Sequence, residues 1–369
     1  MFSNLDIQRT KKSRLPQVDF DSLGFGNVYC DHMFVMHYAE GRWGRPQIVP
    51  FGPIPIEPGA GGLHYGQAVF EGLKAFRGPD GVIRVFRPDK NVARLRDSCA
   101  RLCIPCVEDE VFHEVIRQLI LLDHQWIPHK RGQAFYIRPI IFSTESHLEV
   151  RPATKYCFAV ITSPVRQYFD SNMPAVGLKV EEKYTRAAPG GLGFAKTGGN
   201  YAASLLPSFN SREEGYDQVL WLDGAKHEFV EEVGQMNIFF IIKDRVITPS
   251  LVGTILPGVT RDTVVTLLRE KGYICEERRI SIDEVVDAIH TGNLTEAFGS
   301  GTAAVISPVG RIKYQEQELE INNSTAGDVT KALYEEITAI QYGDIEDRHG
   351  WNMIVELTAP GARAIPATG

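Results

Sequence analysis

One lysine of the sequence stands where the backbone could position a nucleophile. Lys196 lies in Phe-Ala-Lys-Thr-Gly-Gly-Asn-Tyr, residues 194–201, directly before a glycine pair and the predicted start of a helix. From there the side chain can project into a cleft, but its amine becomes a useful nucleophile only if burial or a nearby cation lowers its pKa. Taken alone, the segment is more typical of a surface lysine, so its chemistry depends on what other segments supply.

Two further segments are suited to a phosphate group. Residues 256–262, Leu-Pro-Gly-Val-Thr-Arg-Asp, precede a well-formed helix pattern, and N–H groups at a helix N-terminus bind phosphate with help from the helix dipole. Residues 299–303, Gly-Ser-Gly-Thr-Ala, lie between two apolar runs, and their small side chains let the backbone and a hydroxyl approach a ligand. A capped turn and a tight turn are the ordinary explanations of these segments, and both stay open here.

Two adjacent acids complete this set. Glu231 and Glu232 stand at the edge of an apolar strand pattern. Because side chains alternate along a strand, one of the two should point inward, and a buried carboxylate needs a partner. The ring nitrogen of a cofactor is one such partner, whereas an exposed acid at a strand end needs none. A Schiff-base lysine, two phosphate-binding turns and a carboxylate for a ring nitrogen are together what pyridoxal phosphate requires of a protein.

The elements that must position these residues can be read from hydrophobic periodicity and turn residues. Strands are predicted at residues 69–76, 82–86, 135–142, 156–162, 218–222, 233–242 and 303–308. Helices are predicted along the face of Val92, Leu95, Cys99 and Leu102, at 110–126, 200–214, 260–271 and 326–342, and after a capping box at Ser281 and Glu284. We expect an N-terminal α/β domain over residues 1–165, a linker over 166–176 and a C-terminal domain over 177–369.

Composition excludes several classes of function. The 369 residues carry a net charge of -7, which argues against a nucleic-acid groove. No apolar run approaches the length of a membrane span, and the first residues lack a signal peptide. We therefore expect a cytoplasmic protein, or an organellar one after removal of a transit peptide. Cys103 and Cys106 match C-x-x-C, but this pair follows a helix pattern and has no second ligand pair, so neither a thioredoxin-like role nor a metal site is predicted.

Several motifs, in this order, resemble those of branched-chain amino acid aminotransferases, which are pyridoxal-phosphate enzymes of fold type IV. The resemblance runs from about Phe25 to Tyr342, nearly the whole chain. The motifs that carry it are Leu63-His-Tyr65 with Phe70-Glu-Gly72, Lys196-x-Gly-Gly-Asn-Tyr201, Gly215-Tyr-Asp-Gln-Val-Leu-Trp-Leu-Asp-Gly224, Glu232-Val-Gly-x-Met-Asn237, Leu256-Pro-Gly-Val-Thr-Arg261 and Gly299-Ser-Gly-Thr302. Matched motifs in the right order outweigh the ordinary explanation of each one.

The resemblance implies a two-domain α/β (α+β) fold, with a smaller N-terminal α/β domain and a larger C-terminal pseudo-barrel that binds pyridoxal 5'-phosphate. Lys196 would be the catalytic residue, forming a Schiff base with the cofactor and shuttling a proton. Glu232 would face the pyridine nitrogen, Tyr201 the phenolic oxygen and Leu256 one face of the ring. The phosphate would be held by Arg94, the backbone of Val259 and Thr260, and the Thr302 hydroxyl.

The resemblance also implies the substrates, L-leucine, isoleucine and valine with 2-oxoglutarate as acceptor, and a homodimer. The substrate pocket would be formed by Phe25, Tyr65, Phe70, Tyr136, Arg138 and Tyr168, with Gln235 and Ala303 near the α-carboxylate. Arg138 would meet the distal carboxylate of glutamate, because burying that charge without a partner costs several kcal/mol. Leu148 and Val150 resemble the loop that such enzymes lend to the partner subunit.

Two departures from the family pattern and three alternatives remain. Gln235 stands where a smaller residue is expected, so it could narrow the site, and Ala304 and Ser307 replace the redox C-x-x-C of mammalian members. One alternative keeps the fold but changes the chemistry to a D-amino-acid aminotransferase or an aminodeoxychorismate lyase. The others are a protein that holds the cofactor without turnover and a redox protein that uses Cys103 and Cys106.

Overall fold

The computed structural model describes residues 5–166 and 173–357. Two sheets organise the chain, and helices pack against them. Within the described ranges, no helix has both the length and the apolar character needed to cross a membrane. The first sheet draws most of its strands from the first half of the chain, and the second sheet lies in the half that carries Lys196.

The first sheet is mostly antiparallel and is backed by two long helices. The elements up to residue 166 are β1 (Asp6–Ile7), β2 (His32–Ala39), β3 (Arg42–Trp43), β4 (Gln47–Pro50), α1 (Gly61–His64), β5 (Ala68–Phe70), β6 (Leu73–Arg77), β7 (Ile83–Phe86), α2 (Pro88–Arg101), α3 (Asp109–Leu122), a 3-10 turn (His124–Trp126), β8 (Gln133–Ser143) and β9 (Tyr156–Arg166), with a further 3-10 turn at Leu15–Gln17. Apolar side chains of α2 and α3 bury against the strands and form the first core.

The second sheet closes on itself. The elements after residue 173 are β10 (Val176–Glu181), α4 (Gly198–Ala202), α5 (Leu205–Glu213), β11 (Gln218–Leu222), β12 (Val230–Val233), β13 (Met236–Ile242), β14 (Arg245–Thr248), α6 (Val259–Glu270), β15 (Ile274–Glu277), α7 (Ile282–His290), β16 (Leu294–Gly301), β17 (Val305–Tyr314), β18 (Gln317–Glu320), a 3-10 turn (Asn322–Ser324), α8 (Asp328–Tyr342) and β19 (Asn352–Val355), and all of these strands except β19 belong to the second sheet. Because β12 pairs with both β11 and β13, the strands β11, β10, β17, β16, β13 and β12 form a ring. This ring confirms the predicted pseudo-barrel.

One strand crosses back to the first sheet. β19 pairs antiparallel with β7, so the described chain ends at the edge of the sheet on which it begins. A core of side chains from both halves, among them Phe76, Phe86, Phe239 and Phe298, packs with α6 and α8 between the sheets. The domain boundary at residue 165 stays a prediction.

Glycine and proline positions explain why two elements predicted as continuous are each divided into two shorter ones. The predicted strand at 69–76 is two strands, because the chain breaks at Glu71 and Gly72, where an added Cβ would meet the Tyr136 hydroxyl. The predicted helix at 200–214 is two helices. The Ser204 hydroxyl donates to the Tyr201 carbonyl at 2.7 Å and Pro207 provides no N–H group, so the backbone bonding of one continuous helix is not formed there.

Three other predicted elements have wrong boundaries. The strand predicted at 233–242 is the end of β12, a turn in which Gly234 takes a φ of 54°, and β13. The helix predicted at 110–126 ends at Leu122 and gives way to a 3-10 turn. The strand predicted at 303–308 begins at Val305, since residues 302–304 form the turn between β16 and β17.

Other local predictions are confirmed. The hairpin of β6 and β7 forms, and α6 ends before Gly272 with a φ of 84°. Ser281 caps α7, its hydroxyl accepting the Glu284 N–H at 3.0 Å.

Candidate active site

A large cleft of about 1830 Å³, open to solvent, lies between the two halves of the described chain. It brings together most of the predicted residues: Phe25, Phe70, Arg94, Tyr136 and Arg138 from the first half, and Lys196, Tyr201, Gln235, Leu256, Val259, Thr260, Thr302 and Ala303 from the second. Glu232 lines an adjoining recess together with Tyr201 and Leu256. The cleft therefore unites segments up to about 280 residues apart in sequence.

Three predicted residues lie outside this cleft and a fourth outside the described chain. The Tyr65 hydroxyl donates to the Leu148 carbonyl at 2.6 Å, and Leu148 and Val150 are 70% and 81% exposed. The resemblance placed Tyr65 around the substrate pocket, but here it belongs with the loop that carries Leu148 and Val150. Tyr168 lies outside the described residues.

Lys196 lies between the two halves of the chain, two residues before α4 begins at Gly198. Its backbone N–H donates to the Ser98 hydroxyl of α2 at 2.9 Å, and its Nζ lies 2.8 Å from the Tyr201 hydroxyl and 4.9 Å from the centre of the Phe70 ring. The side chain lines the cleft. Burial, together with the nearby Arg94 guanidinium, lowers the pKa of Lys196 to about 8. A much larger fraction of this amine is thus neutral, and nucleophilic, near neutral pH than at the ordinary lysine pKa.

Tyr201 follows Lys196 by just over one helical turn. Burial, and to a smaller extent the negative charge of Glu232, raises the pKa of Tyr201 to about 12. The hydroxyl therefore stays protonated and can donate a hydrogen bond to an oxygen or to the neutral Lys196 amine. Its ring packs against Phe70 with centroids 4.9 Å apart, which fixes both rings beside the lysine.

Glu232 is a buried acid that faces the recess. One of its carboxylate oxygens accepts the Leu256 N–H at 2.7 Å and lies 3.3 Å from the Arg186 guanidinium. Burial raises the pKa of Glu232, and Arg186 opposes that rise. A cationic ring N–H in the recess would stabilise the charged form of this carboxylate further.

The two acids of β12 lie on opposite faces of the strand, as alternation predicts, but the outward-facing one is buried as well. Glu231 and Glu232 are both buried, on opposite faces of β12, because the closed barrel leaves neither face of this strand in water. Glu231 accepts a hydrogen bond from the Thr254 hydroxyl. Arg186 was missed by the sequence analysis. The only signal for it was the general need of a buried carboxylate for a partner.

Arg94 reaches the cleft from α2, as predicted, but it already has a buried partner. Its Nε and one terminal nitrogen each donate to Glu71 at 2.8 Å, and the other terminal nitrogen donates to the Pro257 carbonyl at 3.0 Å. Burial would raise the pKa of Glu71, but the paired guanidinium lowers it below its ordinary range. Glu71 was also missed, although it lies within the quoted motif with Phe70 and Gly72. Arg94 keeps donors that are not engaged by Glu71 or Pro257.

The two turns singled out as phosphate sites both face the cleft. α6 begins after Gly258 without a side-chain cap, and the N–H groups of Val259 and Thr260 have no acceptor among the described residues. A Cβ at position 258 would overlap the Asn237 side-chain oxygen, so only glycine lets this helix end approach so closely. Ser300, on β16 just before the other turn, has a buried hydroxyl without a partner among the described residues. Free N–H and hydroxyl groups at a helix N-terminus are the chemistry that a phosphate group requires.

The opposite wall of the cleft is aromatic with one cation in it. The Phe25 and Tyr136 rings meet edge to face with centroids 4.9 Å apart. Arg138 donates to the Tyr136 hydroxyl at 2.8 Å and lies over the Phe70 ring at 4.9 Å. Its Nε has no partner among the described residues. This wall offers apolar contact for an aliphatic side chain and a positive charge for an acidic one.

The closed barrel and the cleft that Lys196 lines are the arrangement expected of a pyridoxal-phosphate enzyme of fold type IV. A family model described as amino-transferase class IV matches residues 68–312, and the chain belongs to this family.

Similar proteins agree with that assignment. A protein of Staphylococcus aureus (strain MRSA252), named a probable branched-chain-amino-acid aminotransferase, is 47% identical over 353 residues, 95% of this chain and 98% of that one. The crystal structure of an Escherichia coli branched-chain amino acid aminotransferase superposes with a TM-score of 0.72 at 26% identity, covering 89% of this chain and 99% of that chain.

A second solved structure concerns the cofactor. A branched-chain amino acid aminotransferase of T.th., in complex with N-(5'-phosphopyridoxyl)-L-glutamate, superposes with a TM-score of 0.71 at 25% identity, over 87% of this chain and 98% of that chain. Pyridoxal 5'-phosphate is the cofactor of this family, and the residues of the cleft fit its ring, phenolic oxygen and phosphate.

Proposed function

We propose that this chain transfers the amino group of L-leucine, isoleucine or valine to 2-oxoglutarate, reversibly and in two half-reactions, and that Lys196 carries the reaction. The observation on which this rests most is the Lys196 amine, with its pKa lowered to about 8, 2.8 Å from the Tyr201 hydroxyl and facing an aromatic pocket. The branched-chain name of a relative 47% identical over nearly both whole chains supports the same activity here.

Pyridoxal phosphate, when bound, supplies an electron sink that makes the Cα–H bond of an amino acid acidic. Lys196 would hold the cofactor and, once displaced by the amino donor, take the proton from Cα and deliver it to C4′ of the cofactor. Its lowered pKa suits this exchange, because a base with a pKa near the operating pH both accepts and returns a proton readily.

Other residues of the cleft would hold and orient the cofactor. Glu232 would accept a hydrogen bond from the ring nitrogen and keep it protonated, with Arg186 helping the carboxylate to stay charged. Tyr201, which stays protonated, would donate to the phenolic oxygen, and Leu256 would pack on one ring face. The N–H groups of Val259 and Thr260, the Thr302 hydroxyl and the free donors of Arg94 would bind the phosphate.

The substrate side chain would lie against Phe25, Phe70 and Tyr136. These rings give an apolar surface without a polar group that distinguishes one aliphatic side chain from another. One methylene in such a pocket changes affinity by about 1–3 kcal/mol, so leucine, isoleucine and valine should all react, with modest differences. Gln235, exposed at the mouth of the cleft, would limit the size of the side chain admitted there.

Arg138 would let the same pocket accept the acidic partner. Its guanidinium lies over the Phe70 ring and beside the Tyr136 hydroxyl, where an aliphatic substrate would end, and its Nε is free among the described residues. The distal carboxylate of 2-oxoglutarate or glutamate would pair with it. This arrangement explains how one site serves two kinds of side chain.

We also propose a homodimer in which one subunit completes the other's pocket. Leu148 and Val150 are apolar and highly exposed. The hydroxyl of Tyr65, the residue after α1, donates to the Leu148 carbonyl and so connects their loop to the end of that helix. None of these three residues lines this chain's own cleft. Burying them against a partner's cleft would place an apolar lid over the substrate. The cytoplasmic location stays a prediction.

The rival activities make different demands. A lyase of the same fold would release pyruvate without an amino acceptor, and a D-amino-acid enzyme would favour the opposite enantiomers. A redox role for Cys103 and Cys106 finds no support in their placement, since both thiols are free and lie in the loop after α2, outside the cleft.

The test is a coupled assay of L- and D-leucine with 2-oxoglutarate, run on the intact protein and on Arg138→Met. The intact protein should use L-leucine and require the acceptor. Losing a charge-assisted hydrogen bond should raise the KM for 2-oxoglutarate roughly tenfold to hundredfold, with a much smaller change for leucine. Arg131→Met, which removes an exposed arginine paired with Asp344, is the matched control and should change neither value. Preference for D-leucine, or no turnover of L-leucine in the presence of 2-oxoglutarate, would refute the proposal.

A further inference from the structure

A second lysine near the cleft has no place in the reaction described above. Lys74 lies on β6 and is 3% exposed. Its Nζ donates to the Ala303 carbonyl at 2.8 Å, and no carboxylate pairs with it among the described residues. Burial lowers the pKa of Lys74 to about 7. Lysines are almost never fully buried without a partner, so a buried amine that meets a single carbonyl requires an explanation.

The carbonyl that Lys74 holds belongs to a strained turn. Residues 302–304 connect β16 to β17, and Val305, the first residue of β17, has a φ of 64°. A β-branched residue rarely adopts this left-handed conformation, and it persists only where the surroundings enforce it. Val305 is buried in the core between the sheets, so packing holds one side of the turn. The hydrogen bond from Lys74 to the Ala303 carbonyl holds the other side of the turn.

The same turn presents free N–H groups to the cleft. Thr302, Ala303 and Ala304 all line it, and none of their N–H groups donates to an acceptor among the described residues. In a planar trans peptide the C=O and N–H groups point in opposite directions. Fixing the Ala303 carbonyl on Lys74 therefore fixes the direction of the Ala304 N–H, away from the lysine.

We propose that Lys74 is a positioning residue, whose hydrogen bond to the Ala303 carbonyl keeps the turn at residues 302–304 in the conformation that binds the substrate α-carboxylate. This inference rests on the proposed function. The turn alone would relax toward a conformation that Val305 prefers, and its N–H groups would lose their common direction. Lys74 acts through the turn and does not touch the reacting atoms.

A competing role is available for the same amine. Lys74 shares a small recess with Thr260 and Thr302, both expected at the cofactor phosphate, so it could instead neutralise that phosphate. The two roles separate in binding measurements, because one affects a carboxylate ligand and the other affects the cofactor. Lys74→Met removes the amine while nearly conserving volume, which cores tolerate best.

The experiment measures two dissociation constants on intact protein, Lys74→Met and the control Lys90→Met, which removes an exposed lysine on α2. One is that of the cofactor for cofactor-free protein. The other is that of 4-methylvaleric acid, leucine without its amino group, for the cofactor-loaded protein, measured by calorimetry. For Lys74→Met we expect carboxylate binding weaker by about tenfold, cofactor binding within about twofold, and KM for leucine raised with kcat little changed. The control should match the intact protein.

A second variant tests the strain directly. Val305→Gly in the Lys74→Met background should recover part of the lost carboxylate affinity, because glycine adopts a φ of 64° without strain. If Lys74→Met does not fold, Lys74→Gln, whose nitrogen ends one bond earlier, should show the same loss. Carboxylate binding unchanged in the variants, or cofactor binding weakened as much as carboxylate binding, would overturn the inference. Absence of transamination by the intact protein would instead overturn the proposed function.

Discussion

Replacing Glu71 by glutamine should reveal whether Arg94 meets the cofactor phosphate. The two side chains form a buried pair, with Glu71 0% and Arg94 7% exposed and two contacts of 2.8 Å. One oxygen of Glu71 also accepts from Asn91 at 2.8 Å and from the Gly72 N–H at 3.2 Å. Glutamine at position 71 removes the negative charge. If its NH₂ group takes the position of that oxygen, it faces the donors of Asn91 and Gly72 and cannot accept their hydrogen bonds.

The magnitude follows from the burial of the pair. Removing one partner of a buried ion pair costs about 3–5 kcal/mol, because the other charge is left in protein without compensation. For a chain of 369 residues, with an unfolding entropy of roughly 2 cal/mol/K per residue, this corresponds to a fall of about 4–7 °C in the Tm of the cofactor-free protein. If Arg94 also binds phosphate, the bound cofactor supplies a new anion, and a charge-assisted hydrogen bond restores about 1.5–3 kcal/mol.

The assay is differential scanning calorimetry of the cofactor-free and cofactor-loaded forms of each protein. Glu71→Gln should lose clearly less stability in the loaded form than in the cofactor-free form. Glu114→Gln, which breaks a half-exposed pair with Arg117 on α3, should lose less than about 1 kcal/mol in both forms. Equal losses for Glu71→Gln in the two forms would show that Arg94 serves only Glu71, and the assignment of Arg94 to the phosphate would be wrong.

Three other predictions concern the remaining groups of the cleft. Only the neutral Lys196 amine reacts with pyridoxal phosphate. The rate at which cofactor-free protein becomes covalently linked to added pyridoxal phosphate should therefore rise about tenfold per pH unit below pH 8 and level off above it. A rate that still rises near pH 10, about the ordinary lysine pKa, would contradict the lowered pKa of Lys196. Tyr201→Phe, which removes the hydroxyl 2.8 Å from Lys196, should lower kcat roughly tenfold to hundredfold in steady-state assays, whereas Tyr216→Phe, whose hydroxyl bonds Glu318, should not; equal rates would exclude the hydroxyl from the reaction. Arg186→Met should raise the pKa of Glu232 further, because it removes the cation that favours the charged carboxylate. As the pH is lowered, cofactor affinity should then begin to fall at a higher pH than in the intact protein. Identical profiles of affinity against pH would show that Arg186 does not influence cofactor binding through Glu232.

The sequence motifs grouped residues that the fold does bring to one cleft, although their roles there stay proposals, and the motifs were less successful at element boundaries. Local motifs identified Lys196, Glu232 and the two turns, because phosphate and Schiff-base chemistry require particular residue types at short spacing. Boundaries depend on three-dimensional contacts that periodicity does not contain. The break after Phe70 comes from the approach of the Tyr136 hydroxyl to Gly72, more than sixty residues away in sequence.

The partners of the site residues were the part that sequence reasoning could not supply. Glu71, Lys74 and Arg186 are defined by the groups they contact in the folded chain, which are Arg94, the Ala303 carbonyl and Glu232. Glu71 stands in a quoted motif, but nothing in that motif showed its pairing with Arg94. Burial of both Glu231 and Glu232 was missed for a related reason. Alternation along a strand predicts one inward and one outward side chain, but a closed barrel with covering segments buries both faces.

If Lys196 carries the cofactor through two half-reactions, an absorbance spectrum shows it most directly. The cofactor band of the pure, pyridoxal-phosphate-loaded protein should shift when L-leucine is added alone and return when 2-oxoglutarate follows. Lys196→Ala should retain its far-UV circular dichroism yet show neither change on the same time scale, while Lys226→Ala, an exposed lysine, should behave as the intact protein does. A band that leucine does not move, or a Lys196→Ala protein that cycles at the normal rate, would contradict the account.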